Sequence, residues 1–324
     1  MNLPAIRKLI KDKLQLVIKS DYILIDLPYF QNVGDILIWQ ATLDLLKEIS
    51  YKCLYSCSLD SYIKPKKIDS NILIILMGGG NYGDLWIRHQ EFRHQILNDF
   101  PYNPILQLPQ SVHFTNETYF KKDIHKFSQH HGKIDFFLRD LNSYNIITTH
   151  YKNVNAHLVP DIVFSFNIQR WTKPTIYNQN QTLFVCRQDK ERNTNPDIFN
   201  IIPQNAIKAD WPPMEKNFLR LRVYNKFLYT FFIPLDKYLN TQFSKRFMDF
   251  YYKYILKDYI IRSGIKFINA YETIYTTRLH AAIIALLLKK EVYIFDNSYG
   301  KIKGAFSHSL LLNAPIHFIE KNNG

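Results

Sequence analysis

An arginine and a histidine stand two residues apart at Arg278 and His280, in the stretch TTRLHAAIIALLL, where a β-favouring run hands over to an apolar helical one. A helix start already presents unpaired backbone N–H groups and the positive end of the helix dipole. Two cationic side chains placed there describe an anion site. Arg187 closes another β-favouring run, TLFVC, and Lys301 follows VYIFDNSYG. A guanidinium fork matches carboxylate and phosphate oxygens two at a time, so Arg187, Arg278, His280 and Lys301 together suit a small, multiply charged anion. Each also has a plainer reading. A strand-end arginine is often a solvated surface charge, and a histidine at a helix start is often only part of that start. Neither Arg278 nor His280 is expected in the core. Asn32-Val33-Gly34-Asp35 offers a carboxylate: Asp35 either caps the helix that follows or accepts a proton from a hydroxyl in a cleft.

The elements that must position these residues alternate between strand and helix, the signature of βαβ units and a mainly parallel sheet. Tyr22–Leu27 reads as the first strand, YKCLYS as the second, and Asn71–Met77 as a continuous apolar strand buried on both faces. PILQL, KIDFFL and NVNAHLV read as later strands. The distinctive residues follow strand ends: Gly34-Asp35, Gly78-Gly79-Gly80-Asn81, Pro109-Gln110-Ser111, Arg139-Asp140 and Pro160-Asp161. In open α/β sheets that edge is where ligands bind. The glycine run fits neither G-x-G-x-x-G nor a P-loop. It reads as a loop that lets backbone approach a substrate, or as a tight strand-to-helix turn.

Composition bounds the alternatives. The chain has 324 residues, 47% hydrophobic and 15% aromatic, enough for two packed α/β domains. No apolar run reaches the roughly 20 residues that span a bilayer. Residues 1–20 mix Lys, Arg and Asp into an apolar pattern, which reads as an amphipathic helix rather than a signal peptide. The three cysteines, Cys53, Cys57 and Cys186, form no metal-ligand spacing, and a reduced cytoplasm is the expected location. There is no G-x-S-x-G elbow, no H-E-x-x-H and no D-x-D, so neither a metal nor an organic cofactor is expected. The formal charge of +13 points to nucleic acid, an anionic membrane surface or an anionic substrate. No nucleic-acid motif or Lys/Arg block accompanies it, so nucleic acid is not expected as a partner.

The motifs TTRLHAAIIALLLKKEVYIFDNSYGKIKG, NVGD, MGGGNYGD, LPQS, LRD and VPD, found together across roughly residues 22–305, resemble the polysaccharide pyruvyl transferases. The resemblance implies transfer of a pyruvyl group from phosphoenolpyruvate to sugar hydroxyls of a cell-surface polysaccharide, exopolysaccharide or capsule, or of its lipid-linked precursor, giving a cyclic ketal. It implies an α/β fold of two Rossmann-like domains facing across a cleft, like the GT-B glycosyltransferases. The division expected is an acceptor-side domain over 1–165, a linker over 166–181 and a phosphoenolpyruvate-side domain over 182–324. Family anion-binding residues map onto Arg187, Arg278, Leu279 and His280, with Lys301 beside them; Thr277 stands where an aspartate is often found. His280 is the candidate proton donor or phosphate ligand and Asp35 the candidate base. Asn32, Gly34, Gly79, Gly80, Asn81, Gln110, Ser111 and Arg139 are the candidate acceptor or cleft-lining residues. The competing reading on the same fold is a metal-independent GT-B glycosyltransferase using a nucleotide sugar. The motifs leave the acceptor sugar, the ketal stereochemistry and the oligomeric state open.

Asn217–Tyr259 carries none of these motifs and is rich in Phe, Tyr, Leu and basic residues. Two readings compete: peripheral attachment to the inner face of an anionic membrane, or aromatic packing between helices with Lys and Arg on the solvated side.

Overall fold

The computed structural model describes residues 2–172, 181–187, 198–215, 218–296, 301–306, 311 and 315–319, with side chains throughout except at 198, 199, 214, 215 and 301. The chain divides into two compact units. One gathers Asn2–Tyr29 and Ile38–Ser165; the other gathers Phe30–Leu37 together with Phe166 and beyond.

The N-terminal unit holds seven parallel strands: β1 (Tyr22–Ile25), β2 (Cys53–Cys57), β3 (Leu73–Leu76), β4 (Gly79–Gly83), β5 (Ile105–His113), β6 (Ile134–Leu138) and β7 (Val154–Leu158). Their order is β2-β1-β3-β5-β6-β7, with β4 also paired to β5. β1, β3 and β6 are buried at every position, as continuous apolar runs require. The helices are α1 (Leu3–Val17), α2 (Val33–Leu46), α3 (Ile87–Asp99), α4 (Glu117–Ser128) and α5 (Leu141–His150). α1 is the amphipathic helix expected, capped by the Asn2 side chain on the Ala5 N–H and burying Ile6, Ile10 and Leu14 at helical spacing.

Two sequence expectations are corrected here. PILQL does not stop before Pro109: β5 runs on through Pro109, Gln110 and Ser111 to His113. The pairing register with β6 shifts between Gln107 and Gln110, and such an irregularity admits a proline that cannot donate to the ladder. Gly79 and Gly80 are neither loop nor turn; Gly78 precedes the strand they open. That strand is β4, which pairs with the far half of β5 while β3 pairs with the near half. Hydrophobic pattern ends at Met77, but strand pairing is set by the available neighbour rather than by apolarity alone.

The C-terminal unit holds β8 (Thr182–Val185), β9 (Ile207–Ala209), β10 (Thr273–Thr276), β11 (Glu291–Phe295) and β12 (Ile316–Ile319), all parallel, in the order β12-β11-β10-β8-β9. Its helices are α6 (Ile198–Ile201), α7 (Pro212–Glu215), α8 (Leu219–Phe227), α9 (Ile233–Leu239), α10 (Phe243–Tyr251), α11 (Lys257–Asn269), α12 (Leu279–Leu287) and α13 (Lys301–Ala305), with π turns at Leu228–Phe232 and Tyr252–Leu256. α12 is buried along its length, which explains its unbroken apolar sequence. The start of the expected linker is packed: Phe166 and Ile168 are buried and Trp171 stacks on Phe166. Residues 173–180 lie outside the described set.

Counting β3 and β4 as one line, both sheets share a doubly wound order, second-first-third-fourth-fifth, to which the N-terminal sheet adds a sixth strand, β7. Each therefore has a switch point between its first and third strands, β1/β3 in one and β8/β10 in the other. Crevices form outside the carboxyl ends of strands at such points. Among the described residues no helix is long and apolar enough to cross a membrane.

The N-terminal unit is tied together by one buried carboxylate. Asp123 of α4 is fully buried and accepts from Tyr82 Oη (2.9 Å), Tyr151 Oη (2.5 Å), Gln90 Nε2 (2.6 Å) and His94 Nε2 (2.5 Å). Burial, reinforced by that carboxylate, pushes both phenols well above their ordinary range. Asp123→Ala strands four buried donors. The expected loss is about 3–5 kcal/mol in urea denaturation; a loss below about 1 kcal/mol contradicts this role.

Candidate active site

At the C-terminal sheet the switch point brings together the two arginines that the sequence singled out. Arg187 follows β8, and Arg278 follows β10 as the cap residue of α12. The two strand ends are cross-linked through Thr277, whose Oγ1 accepts the Arg187 backbone N–H at 2.9 Å while its own N–H reaches Val185 O. Thr277 thus has a structural task, joining the two strand ends. Thr276 Oγ1 accepts the Arg278 N–H at 2.9 Å and donates to Val185 O at 3.2 Å.

Arg278 is not the surface residue expected. It is buried, and its guanidinium donates from Nε to Asp210 Oδ1 (2.5 Å) and from Nη2 to Asp210 Oδ2 (2.6 Å). Asp210 is equally buried, directly after β9, and its Oδ1 also accepts the Trp211 N–H. A bidentate, desolvated pair of this kind fixes the plane of the guanidinium. Cys186, beside this pair, has its thiol pushed up chiefly by burial and then by the Asp210 charge. Asp210 escaped the sequence reading because β9 is three residues long and shows no periodicity. Its only signal is an acidic residue before the buried Trp211.

His280 is half-buried in the first turn of α12. The first turn of α2 packs against it, and this is why Phe30–Leu37 belongs with the C-terminal unit. A Cβ on Gly34 would stand 2.3 Å from His280 Nδ1, and one on Gly264 of α11 would stand 2.3 Å from Val33 Cγ1. Two glycines thus seat Val33 and Gly34 between α11 and α12. Asn32, not Asp35, caps α2: its Oδ1 accepts the Gly34 N–H and its carbonyl accepts the Ile36 N–H. Asp35 is left in the first turn, half-buried, one residue from the His280 contact. Two helix N-termini therefore converge, and their N–H groups and dipoles favour negative charge between them. The side chain of Lys301 lies outside the described set. Asp296, from the same DNSYGK motif, accepts the Ile302 and Lys303 N–H groups at the start of α13.

The other expected residues lie in the N-terminal unit, at the carboxyl edge of its sheet. Gly79 is buried in β4 and Gly80 half-buried beside it. Asn81 accepts from a fully buried arginine that sequence reasoning missed. Arg93 donates to Asn81 Oδ1 (2.6 Å), Asn81 O (3.2 Å) and Gln107 Oε1 (3.2 Å), and Gln110 Nε2 donates to Asn81 Oδ1 (3.3 Å). Burial lowers the Arg93 pKa, and the Asp26 carboxylate opposes that shift. Asp26, also missed, ends β1 in left-handed backbone (φ 69°) and meets His89 Nδ1 at 2.9 Å and Arg93 Nη2 at 3.5 Å. A first strand drawn to Ile25 rather than to Leu27 brings Asp26 into view as a strand-end residue. Arg139 is buried and clasps Ser111 Oγ (2.8 Å) and Asp161 Oδ2 (2.7 Å), so it and Ser111 join the ends of β5, β6 and β7.

Comparison with known proteins gives a consistent result. A profile of the polysaccharide pyruvyl transferases matches residues 32–299. Putative pyruvyl transferase EpsO of Bacillus subtilis is 31% identical over 298 residues, covering 92% of this chain and 87% of that protein. Pyruvyl transferase 1 of Schizosaccharomyces pombe is 24% identical over 300 residues, covering 86% of this chain and 67% of that protein. The crystal structure of an uncharacterized Klebsiella pneumoniae protein superposes with a TM-score of 0.60 at 21% identity, covering 99% of this chain and all of that one, a likeness of fold.

The Asp210–Arg278 pair makes its own prediction. Arg278→Ala leaves a buried carboxylate without its partner, and about 3–5 kcal/mol of stability is lost. Arg278→Ala combined with Asp210→Asn removes that uncompensated charge and recovers at least half of the loss in thermal unfolding. Additive losses in the double variant contradict the pairing.

Proposed function

This chain belongs to the polysaccharide pyruvyl transferase family and is a transferase, and we propose that it moves the pyruvyl group of phosphoenolpyruvate onto two hydroxyls of a saccharide acceptor, forming a pyruvate ketal. The acceptor is a cell-surface polysaccharide or its lipid-linked precursor, met on the cytoplasmic side of the membrane. The observation that carries this reading is the meeting of the Arg278-Leu279-His280 helix start with the Gly34-Asp35 turn, next to the Arg187 strand end.

The chemistry asks for what those residues supply. One acceptor oxygen adds to C2 of the enol while C3 receives a proton. The second oxygen then takes the place of phosphate on C2. Of the two hydroxyl protons released, one balances the C3 proton and the other leaves with phosphate. Arg187 and Lys301 bind the carboxylate and phosphate, while Arg278, neutralised by Asp210, holds the start of α12 that presents His280. His280 delivers the C3 proton and Asp35 accepts the acceptor's proton. Fixed cations stabilise the departing phosphate electrostatically, and the reaction is proposed to need no metal or organic cofactor.

Three outcomes test this. Phosphoenolpyruvate raises the melting temperature while UDP-sugars do not; the reverse pattern favours nucleotide-sugar glycosyl transfer and overturns the reading. His280→Ala lowers turnover by about 10²–10⁴-fold with little change in melting, and Gly34→Ala lowers it by about 10²-fold by displacing the imidazole. Wild-type rates in both sink the assignment. EDTA leaves the rate unchanged; a loss restored by Mg²⁺ or Mn²⁺ refutes the metal-free mechanism.

A further inference from the structure

The segment from α8 to α11 is a helical hairpin with two aromatic faces. The inner face is core: Leu221, Tyr224 and Leu228 are buried, and Tyr224 and Phe232 both stack on Phe247 with centroids 5.7 and 4.3 Å apart. The outer face is not. Phe227, Phe231, Leu235, Tyr238 and Leu239 are 46%, 57%, 38%, 87% and 49% exposed. Their spacing of four, four, three and one places them along one side of the continuous α8–α9 rod. Phe227 and Phe231 stack on each other. Contiguous exposed apolar surface of this kind marks an interaction site.

The tip of the hairpin is held in shape. Asn240 turns the chain in left-handed backbone, and Asp236 accepts from Thr241 Oγ1 (2.8 Å), Phe243 N (2.6 Å), Ser244 N (2.9 Å) and Ser244 Oγ. The other two acidic residues of the segment are paired with neighbours, Asp249 with Lys253 and Asp258 with Lys257. Arg222, Lys226 and Lys237 on the same rod and Arg246 on α10 are exposed, and no ion pair among the described residues engages them.

We propose that this face is a membrane-docking surface, whose occupant is a bilayer containing anionic phospholipid. The aromatic and aliphatic side chains enter the headgroup boundary while the basic residues meet the lipid phosphates. A second copy of the chain is the poorer fit. A two-fold interface sets the same patch against itself, and here that brings unpaired like charges together around the apolar centre. The inference stands beside the proposed reaction, and its test uses no activity.

The test is sedimentation of the full chain with vesicles of phosphatidylcholine alone, or with one part in three of phosphatidylglycerol, at low and high salt. Binding is expected with the anionic vesicles and weakens as salt shortens the screening length. A Leu235→Ser, Tyr238→Ser, Leu239→Ser triple variant and a Lys237→Glu, Arg246→Glu double variant each lose about tenfold in partitioning. Their circular dichroism and melting stay at wild-type values, since the altered side chains are exposed. Equal recovery in the supernatant under all conditions overturns the proposal. So does binding that neither variant weakens, or a dimer in sedimentation equilibrium that the triple variant dissociates.

Discussion

A buried carboxylate holds the C-terminal site in register. Asp210 takes Nε and Nη2 of Arg278, so the residue that begins α12 is fixed in position and in plane. The backbone of Arg278 is itself tied to Thr276, and Thr277 ties that strand end to Arg187. The start of α12 is consequently a built surface rather than a frayed turn, and His280 is presented from it at a constant height. The arrangement depends on burial. In the low-dielectric edge of the sheet an unpaired Asp210 or Arg278 is costly, and each therefore enforces the other's position.

The same doubly wound strand order appears in both units, yet the two switch points are furnished differently. At β8/β10 Arg187 and the Asp210-paired Arg278 flank a helix start, whose free N–H groups suit an anion. At β1/β3 the buried Asp26 meets His89 and the fully buried Arg93, which in turn organises Asn81 and Gln110. That edge combines a carboxylate, an imidazole and carboxamides, groups suited to hydroxyls. The short stretch Phe30–Leu37 links the two sets in sequence while packing with the C-terminal one. This explains how a motif read from the N-terminal half ends up beside His280.

Much of the fold was legible because parallel strands buried on both faces leave unbroken apolar runs, as in Leu73–Leu76 and Ile134–Leu138. The cationic strand ends were legible for a related reason: Arg187 and Arg278 interrupt such runs abruptly. What stayed hidden was decided by pairing or by burial of charge. β4 is a strand because β5 is long enough to receive it, a fact absent from Gly78-Gly79-Gly80 itself. Arg93 sits on a helix whose sequence reads as polar surface, yet it is fully buried. Asp210 acquires meaning only through Arg278, 68 residues away in the chain. In the aromatic segment after Asn217 the packing between helices is present, and other residues of the same types are exposed, because helical periodicity distributes like residues to different sides.

Pyruvyl transfer to a saccharide is tested most directly by product carbon. Phosphoenolpyruvate labelled with ¹³C at C2 is incubated with the purified protein and a saccharide acceptor, and the acceptor is examined by NMR alongside phosphate release. The expected result is a labelled quaternary carbon bonded to two sugar oxygens and a methyl group, formed in equal amount with phosphate. Phosphate released without that carbon on the sugar, or an acceptor extended from a nucleotide sugar instead, contradicts it.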